Sequence, residues 1–199
     1  LSVYSLVLTP RSPLGRAVAA GAHPPLADPA VEWTRFEAAD TRLTEAGFEA
    51  YSPVQYGRPD RDEARYVRGW GHGRDVVGLG PGAAGRIGAG SYLSPIPGAP
   101  PGSPLGDDLA LEIPTALQSP LEWLGLAQGA TLPPPGTPGA PERSAPLSKA
   151  LEILAETKLI TQNVHGFGLT RTGRYWAGNI GAALLAAIVG ETHRTGGRG

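Results

Sequence analysis

The chain of 199 residues contains no cysteine and no methionine. The absence of cysteine excludes disulfide bonds, zinc sites with thiolate ligands and iron–sulfur clusters held by this chain's own residues. The formal net charge is only −1, so charge gives no reason to expect nucleic acid or an anionic membrane as a partner. No apolar run reaches the roughly 18 residues that a membrane-spanning helix needs, and no signal peptide is recognisable. We therefore expect a cytoplasmic protein.

Glycine and proline are abundant, with 29 and 21 residues respectively. They are concentrated in residues 94–107 and 131–146, which resemble extended linkers. The sequence therefore predicts three parts: residues 1–93, a Pro/Gly-rich linker region with short helices at 94–146, and a C-terminal domain at 147–199. The chain opens directly on the strand-like run Leu1–Leu8, which indicates a fragment or a processed chain.

The first part alternates strand and helix patterns. Apolar residues at 1–8 predict a buried strand, and helical spacing over 30–46 follows an Asp28-Pro29 cap and ends at Gly47. Residues 48–54 alternate like a second strand. Strand, helix and strand in this order predict a βαβ unit with a parallel strand pair. The mixed-charge stretch 57–74 predicts a solvated face or short helix, with a ligand-facing segment as the alternative.

The C-terminal part has apolar residues at helical spacing over 147–159, a small β-element over 160–167, and an apolar helix over about 175–189. Helix, β-element and helix are typical of a winged-helix-like module.

Residues 78–86 form a glycine cluster directly after the β-branched pair Val76-Val77. This pattern predicts a buried strand that leads into a loop whose main chain can closely approach a ligand. The spacing Gly78-x-Gly80-x-x-Ala83 also fits the dinucleotide fingerprint, but the glycine-rich sequence that follows does not favour the helix this fingerprint needs. A glycine loop without a ligand is the third interpretation.

Candidate catalytic side chains are sparse. The four histidines lack metal-ligand spacing, and we expect surface positions for them (His23, His72, His165 and His193). Three serines lack the setting of a nucleophile elbow (Ser52, Ser91 and Ser94). The carboxylate pair Asp107-Asp108 follows a linker and is typical of a solvated helix start. The sequence therefore predicts no metal ligands, and it leaves the catalytic residues unassigned.

Four motifs in the first half carry a family resemblance: Leu1-Ser2-Val3-Tyr4-Ser5-Leu6-Val7, Ser12-Pro13-Leu14, Leu43-x-x-Ala46-Gly47-Phe48-x-x-Tyr51 and Asp75-Val76-Val77-Gly78-Leu79-Gly80-Pro81-Gly82-Ala83. Their order and spacing resemble the radical S-adenosylmethionine proteins of the oxygen-independent coproporphyrinogen III oxidase superfamily. A further motif, Leu169-Thr170-x-x-Gly173-Arg174-Tyr175-Trp176 with Asn179, resembles the end of that superfamily's C-terminal domain. The haem-utilisation branch is the most similar.

The resemblance implies an α/β fold. It would comprise the C-terminal strands and helices of a partial (β/α) barrel, followed by a small, α-rich, winged-helix-like accessory domain. It also implies S-adenosylmethionine as cofactor, together with a [4Fe–4S] cluster whose cysteine ligands belong to a missing N-terminal half of the barrel. Val7 matches a position that contacts a second S-adenosylmethionine, and Ala84 matches one that contacts the cluster-bound molecule. Gly80, Gly82 and Ala83 would provide the close main-chain approach.

The resemblance implies a parent enzyme that acts on a tetrapyrrole, by radical methyl or methylene transfer and ring opening in anaerobic haem degradation. Two alternatives remain: a radical methyltransferase or cyclopropanase of a secondary metabolite, and a non-catalytic haem chaperone of the same superfamily. The chain alone should be inactive, because it lacks the cysteines that hold the cluster.

Overall fold

A computed structural model describes residues 1–6, 8–9, 12–23, 28–59, 61, 65–71, 74–88, 90–95, 98, 109–112, 123–134, 136–138, 140, 143–164 and 166–195. The chain divides into two compact units, Leu1–Glu63 and Ala64–Gly199. The three-part division at residues 93 and 146 stays a prediction. Within the described residues, no helix is long and apolar enough to cross a membrane.

The first unit contains two helices with matching N-terminal caps. Helix α1 spans Pro13–Ala19 and helix α2 spans Pro29–Glu45. The Ser12 hydroxyl accepts a hydrogen bond from the Gly15 amide at 3.0 Å, and Asp28 Oδ1 accepts one from the Val31 amide at 2.9 Å. Each cap is followed by a proline in the first turn, where no amide donor is needed. The helix predicted over residues 30–46 is confirmed as α2.

The predicted parallel strand pair of this unit is wrong. Strands β1 (Glu49–Ala50) and β2 (Tyr56–Gly57) are antiparallel, and Ser2 also pairs antiparallel with Gln55. The reason is the Ser52 hydroxyl, which accepts hydrogen bonds from the Gln55 amide at 3.1 Å and closes a turn. The chain therefore reverses inside the stretch expected to be one strand, and β2 lies between β1 and the first residues.

A buried polar pair stabilises this unit. The Tyr56 side chain is 1% exposed, and its hydroxyl donates a hydrogen bond to Asp40 Oδ1 at 2.8 Å. Asp40 lies on α2, so this bond connects the helix to β2. Burying a carboxylate is costly unless it accepts hydrogen bonds, and the phenol supplies one.

The second unit begins with helix α3 (Arg65–Gly71), which confirms a short helix in the mixed-charge stretch. Strands β3 (Ala84–Ile87), β4 (Gly90–Leu93) and β5 (Leu109–Glu112) form an antiparallel sheet in the order β3-β4-β5. Val76 adds one bridge on the free side of β3, opposite Arg86. Every strand pair among the described residues is antiparallel.

The C-terminal module of this unit consists of helix α4 (Leu124–Ala127), helix α5 (Ala145–Glu156), the hairpin β6 (Ile160–Asn163) and β7 (Gly166–Leu169), helix α6 (Arg171–Tyr175) and helix α7 (Ala177–Thr195). The expected order of helix, β-element and helix is present. Leu132 exchanges two backbone hydrogen bonds with Phe167, at 3.0 and 2.7 Å, and so extends the hairpin by one bridge.

The core of this module begins before residue 147. Trp123 is completely buried, and its ring meets that of Phe167 edge-on with centroids 5.5 Å apart. Residues from four elements and the adjoining loops complete the core: Leu126, Ala127, Ala130, Leu132, Leu147, Leu151, Leu154, Ile160, Ile180 and Leu184. Part of the stretch predicted as a linker region thus packs as core, because its few large apolar residues are buried against α5, β7 and α7.

Candidate functional site: a glycine loop on an antiparallel sheet

The glycine loop comprises residues 78–83, between the Val76 bridge and β3. Gly80 and Gly82 have φ angles of +97° and +71°, which glycine adopts at little cost. The Ala83 amide donates to the Gly80 carbonyl at 3.1 Å and closes a tight turn. Because both positive φ angles lie inside this turn, the glycines fix its path, and they add no side chain at positions 80 and 82.

The C-terminal end of the loop is attached to the residue after β4. The Gly82 amide donates to the Ser94 carbonyl at 3.0 Å, and the Ser94 amide donates to the Ala83 carbonyl at 2.8 Å. The loop is therefore an ordered continuation of the sheet. The Gly82 and Ala83 amides, like that of Gly78, donate hydrogen bonds within the chain, so a ligand would meet other atoms of the loop.

The N-terminal end of the loop is attached to a tyrosine. The Tyr92 hydroxyl accepts a hydrogen bond from the Gly78 amide at 2.9 Å and donates one to the Gly78 carbonyl at 3.2 Å. The Tyr92 ring lies where a Cβ atom at Gly85 would be. Gly85 is required for this contact, because any side chain would displace the ring.

The structure brings four of the five predicted cofactor-binding residues together in one short segment. Gly80 and Ala84 are exposed, whereas Gly82 and Ala83 are half-buried. A Cβ atom added at Gly80 would meet no atom within 4 Å. Val7 lies outside the described residues. The exposed side of the loop is therefore at Gly80, next to Leu79, whose side chain is 85% exposed.

The strand before the loop is not buried as predicted. Val77 is 62% exposed, and Val76 forms the single bridge to Arg86. The register of this bridge places Gly85 opposite Val77. The absence of a helix after the loop is confirmed, since residues 84–87 form β3.

In the part of the chain that the structure describes, side chains with catalytic potential do not converge on the loop. Among the described residues, no group of three or more histidine, aspartate or glutamate side chains could hold a metal ion. Asp75 Oδ1 accepts a hydrogen bond from the Gly88 amide at 2.8 Å, which orders the β3–β4 turn. His72, His165 and the pair Asp107-Asp108 lie outside the described residues. The described part of this site therefore offers main-chain and apolar contacts.

The sequence interpretation missed Tyr92 and the backbone of Ser94. A signal for Tyr92 was present, because Gly88-Ala89-Gly90 is a turn sequence between two strand-like segments. Residues equally distant from the centre of a hairpin lie opposite each other, and this places Tyr92 opposite Gly85. A glycine opposite a tyrosine is the arrangement that allows the ring to fold over its neighbour.

The C-terminal motif of the resemblance, which contains Thr170 and Gly173, forms a compact corner between α5 and α6. The Thr170 hydroxyl donates to the Lys158 carbonyl at 2.7 Å and accepts from the Gly173 amide at 2.9 Å. A Cβ atom at Gly173 would collide with the carbonyl of Leu159. Lys158 itself has a φ of +59°, a left-handed conformation that ends the helix region. The hydrogen bonds of Thr170 and the close packing at Gly173 are sufficient to explain why the motif contains these two residues.

Comparison with known proteins adds no family assignment. The chain matches no protein-family model, and no curated protein or solved structure matches it significantly.

Proposed function

We propose that this chain is the C-terminal portion of a radical S-adenosylmethionine protein of the coproporphyrinogen oxidase-like superfamily. The parent would be a cytoplasmic enzyme that transfers a methyl or methylene radical to a tetrapyrrole and opens its ring in anaerobic haem degradation. The observation that carries the proposal is the hydrogen-bonded, glycine-rich loop at Gly80–Ala83, on the segment where the resemblance expects S-adenosylmethionine. The corner at Thr170 and Gly173 is consistent with the C-terminal motif of the resemblance.

The loop fits a flat organic group better than a charged one. The side chain of Leu79 and the open space at Gly80 provide apolar contact and close approach. Since the amides of Gly78, Gly82 and Ala83 donate to other atoms of the chain, the loop is not arranged as a phosphate cradle. This favours the adenine or ribose of S-adenosylmethionine over the diphosphate of a dinucleotide.

The chain has no cysteine, so an iron–sulfur cluster would need ligands from the rest of the parent. When bound, the cluster would supply the electron that cleaves S-adenosylmethionine. The residues of this chain would bind and orient that molecule and exclude water from it. We expect no 5′-deoxyadenosine from the isolated chain after anaerobic incubation with iron, sulfide and reductant. Turnover there would contradict the proposal.

The sharpest test compares two glycines of the same kind. Gly80 and Gly88 both have positive φ, at +97° and +55°, and a Cβ atom at either would meet open space. In the parent protein, Gly80→Ala should raise the Kd for S-adenosylmethionine about tenfold, which corresponds to about 1.4 kcal/mol. Gly88→Ala should leave it unchanged, although it too places a side chain at positive φ. Equal Kd values for the two variants would remove the loop from the binding site.

Gly82→Val should also raise the Kd at least about tenfold. Gly82 is half-buried with φ +71°, so this variant combines steric block with strain. Its melting temperature without ligand must therefore be measured alongside. Unfolding without a specific loss of binding would indicate a structural loop.

A second experiment identifies the reaction. The parent should consume haem, with loss of the Soret band, only when reductant and S-adenosylmethionine are both present. Stable haem binding without consumption would point to the chaperone. Methylation of another scaffold without haem consumption would point to a methyltransferase or cyclopropanase of a secondary metabolite.

A further inference from the structure

The Tyr92 hydroxyl spans the sheet to reach a segment that is not its neighbour. Tyr92 lies on β4, whereas Gly78 follows Val76, which pairs with the other side of β3. The phenol crosses β3 at Gly85, where the absence of a side chain leaves room for the ring. A hydrogen-bonded link across an intervening strand makes the position of Gly78 depend on a distant residue.

The link engages both polar groups of Gly78. Its amide donates to the Tyr92 hydroxyl at 2.9 Å, and its carbonyl accepts from the same hydroxyl at 3.2 Å. A Cβ atom at Gly78 would collide with the carbonyl of Ala84, so the backbone is also in close contact with the start of β3. With Ser94 holding Gly82 and Ala83, the loop is fixed at both ends and its tip at residues 79–81 projects.

We propose that Tyr92 is the positioning residue of the glycine loop. Its hydroxyl sets the direction of the chain at Gly78 and thereby the place of Leu79 and Gly80. Packing of the ring on Gly85 and hydrogen bonding to Gly78 are separable contributions, because Tyr92→Phe keeps the ring and removes the hydroxyl. The effect on a ligand rests on the proposed function above, whereas the fixing of Gly78 does not.

The test measures amide hydrogen exchange of ¹⁵N-glycine-labelled protein by NMR. In Tyr92→Phe, the Gly78 amide should exchange about fivefold faster, as expected for one lost hydrogen bond. The Gly85 and Gly90 amides of the sheet should be nearly unchanged. The control is Tyr4→Phe, which removes a hydroxyl that accepts from Gln55 Nε2 at 3.2 Å in the Leu1–Glu63 unit. It should leave Gly78 unchanged.

Unchanged exchange at Gly78 in Tyr92→Phe would overturn the proposal. So would an equal acceleration at Gly78, Gly85 and Gly90, because Tyr92 would then merely support the sheet. Melting temperature distinguishes these outcomes from global unfolding.

A second measurement separates this proposal from the function it serves. In the parent protein, Tyr92→Phe should raise the Kd for S-adenosylmethionine about fivefold, by the same lost hydrogen bond, and Tyr4→Phe should not. Faster exchange at Gly78 with an unchanged Kd would leave Tyr92 as the positioning residue and remove S-adenosylmethionine from the loop. A raised Kd without faster exchange would contradict positioning by the hydroxyl.

Discussion

The glycine loop at 78–83 and the corner at 158–173 are held by similar hydrogen bonds, but the loop is exposed at its tip and the corner is buried. In each, one side-chain hydroxyl binds the backbone of a glycine: Tyr92 binds Gly78 and Thr170 binds Gly173. At the corner, Gly173 is buried and faces the carbonyl of Leu159. At the loop, Gly80 is exposed and faces open space.

This difference separates glycines that the fold requires from glycines that it merely permits. Gly173 and Gly85 have no room for a Cβ atom, so packing alone explains them. Packing does not explain Gly80, whose positive φ could be accommodated by asparagine at a modest cost. A binding role is therefore most informative to test at Gly80. Substitutions at the corner should therefore lower stability more than substitutions at the tip of the loop.

The largest effect is expected in the core behind the corner. Trp123→Ala removes a completely buried ring that packs on Phe167 and should lower the free energy of unfolding by about 3–5 kcal/mol. Urea denaturation followed by circular dichroism measures this. Trp176→Ala serves as control, because that side chain is 39% exposed. A small loss for Trp123→Ala would show that residues before 147 do not belong to this core.

Gly173→Ala should cause the next largest loss of stability. The added methyl group would meet the Leu159 carbonyl, and relieving this overlap should cost about 3 kcal/mol in the free energy of unfolding. Gly178→Ala on α7, where a Cβ atom would meet no atom within 4 Å, should be neutral or slightly stabilising. Similar melting temperatures for the two variants would contradict the close approach at the corner.

Thr170→Val should destabilise by about 1–2 kcal/mol, because it removes the N-cap of α6 at nearly constant volume. The same hydroxyl also donates to the Lys158 carbonyl. Thr170→Ser keeps the hydroxyl and should recover most of the loss, as read from the midpoint of urea unfolding. Failure of serine to restore stability would assign the effect to the methyl group.

A loss of stability no larger than that of Thr170→Val is expected at the loop. Gly80→Ala should cost about 1–2 kcal/mol from positive φ alone, and Gly80→Asn should cost less. Differential scanning calorimetry of both variants checks this. A loss as large as that of Gly173→Ala would make Gly80 a packing residue and would remove the contrast between the two regions.

Local signals in the sequence were sufficient for the helices and for the hairpin near the C-terminus. Caps such as Asp28-Pro29 and the spacing of Leu147, Leu151 and Leu154 determine local structure, and these elements formed where predicted. The strand pairing of the first unit was not predictable in the same way. The antiparallel pairing depends on a turn that the Ser52 hydroxyl closes by accepting a hydrogen bond from the Gln55 amide. The alternation of residues 48–54 does not indicate this turn.

The conformation of the glycine loop was predicted in part, and its role as a binding site stays a prediction. Glycine spacing indicated a close main-chain approach at Gly80 and Gly82, and both adopt positive φ. The expected burial of Val77 was wrong, because burial depends on what covers the sheet rather than on the strand itself. The burial of Trp123 and Leu132 in the core was not expected from the sequence, for a similar reason. Flanking proline and glycine dominated the local composition, whereas the partners of these two residues lie more than thirty positions later.

The bridge between Leu132 and Phe167 also determines how this chain could be divided or exchanged during evolution. A C-terminal module transferred to another protein from residue 147 onward would lose the bridge that extends its hairpin and the buried indole of Trp123. Recombination would preserve the module only with a crossover upstream of Trp123. The glycine- and proline-rich residues between Leu132 and α5 are then an internal loop of the inherited unit, where length can vary without separating its two parts.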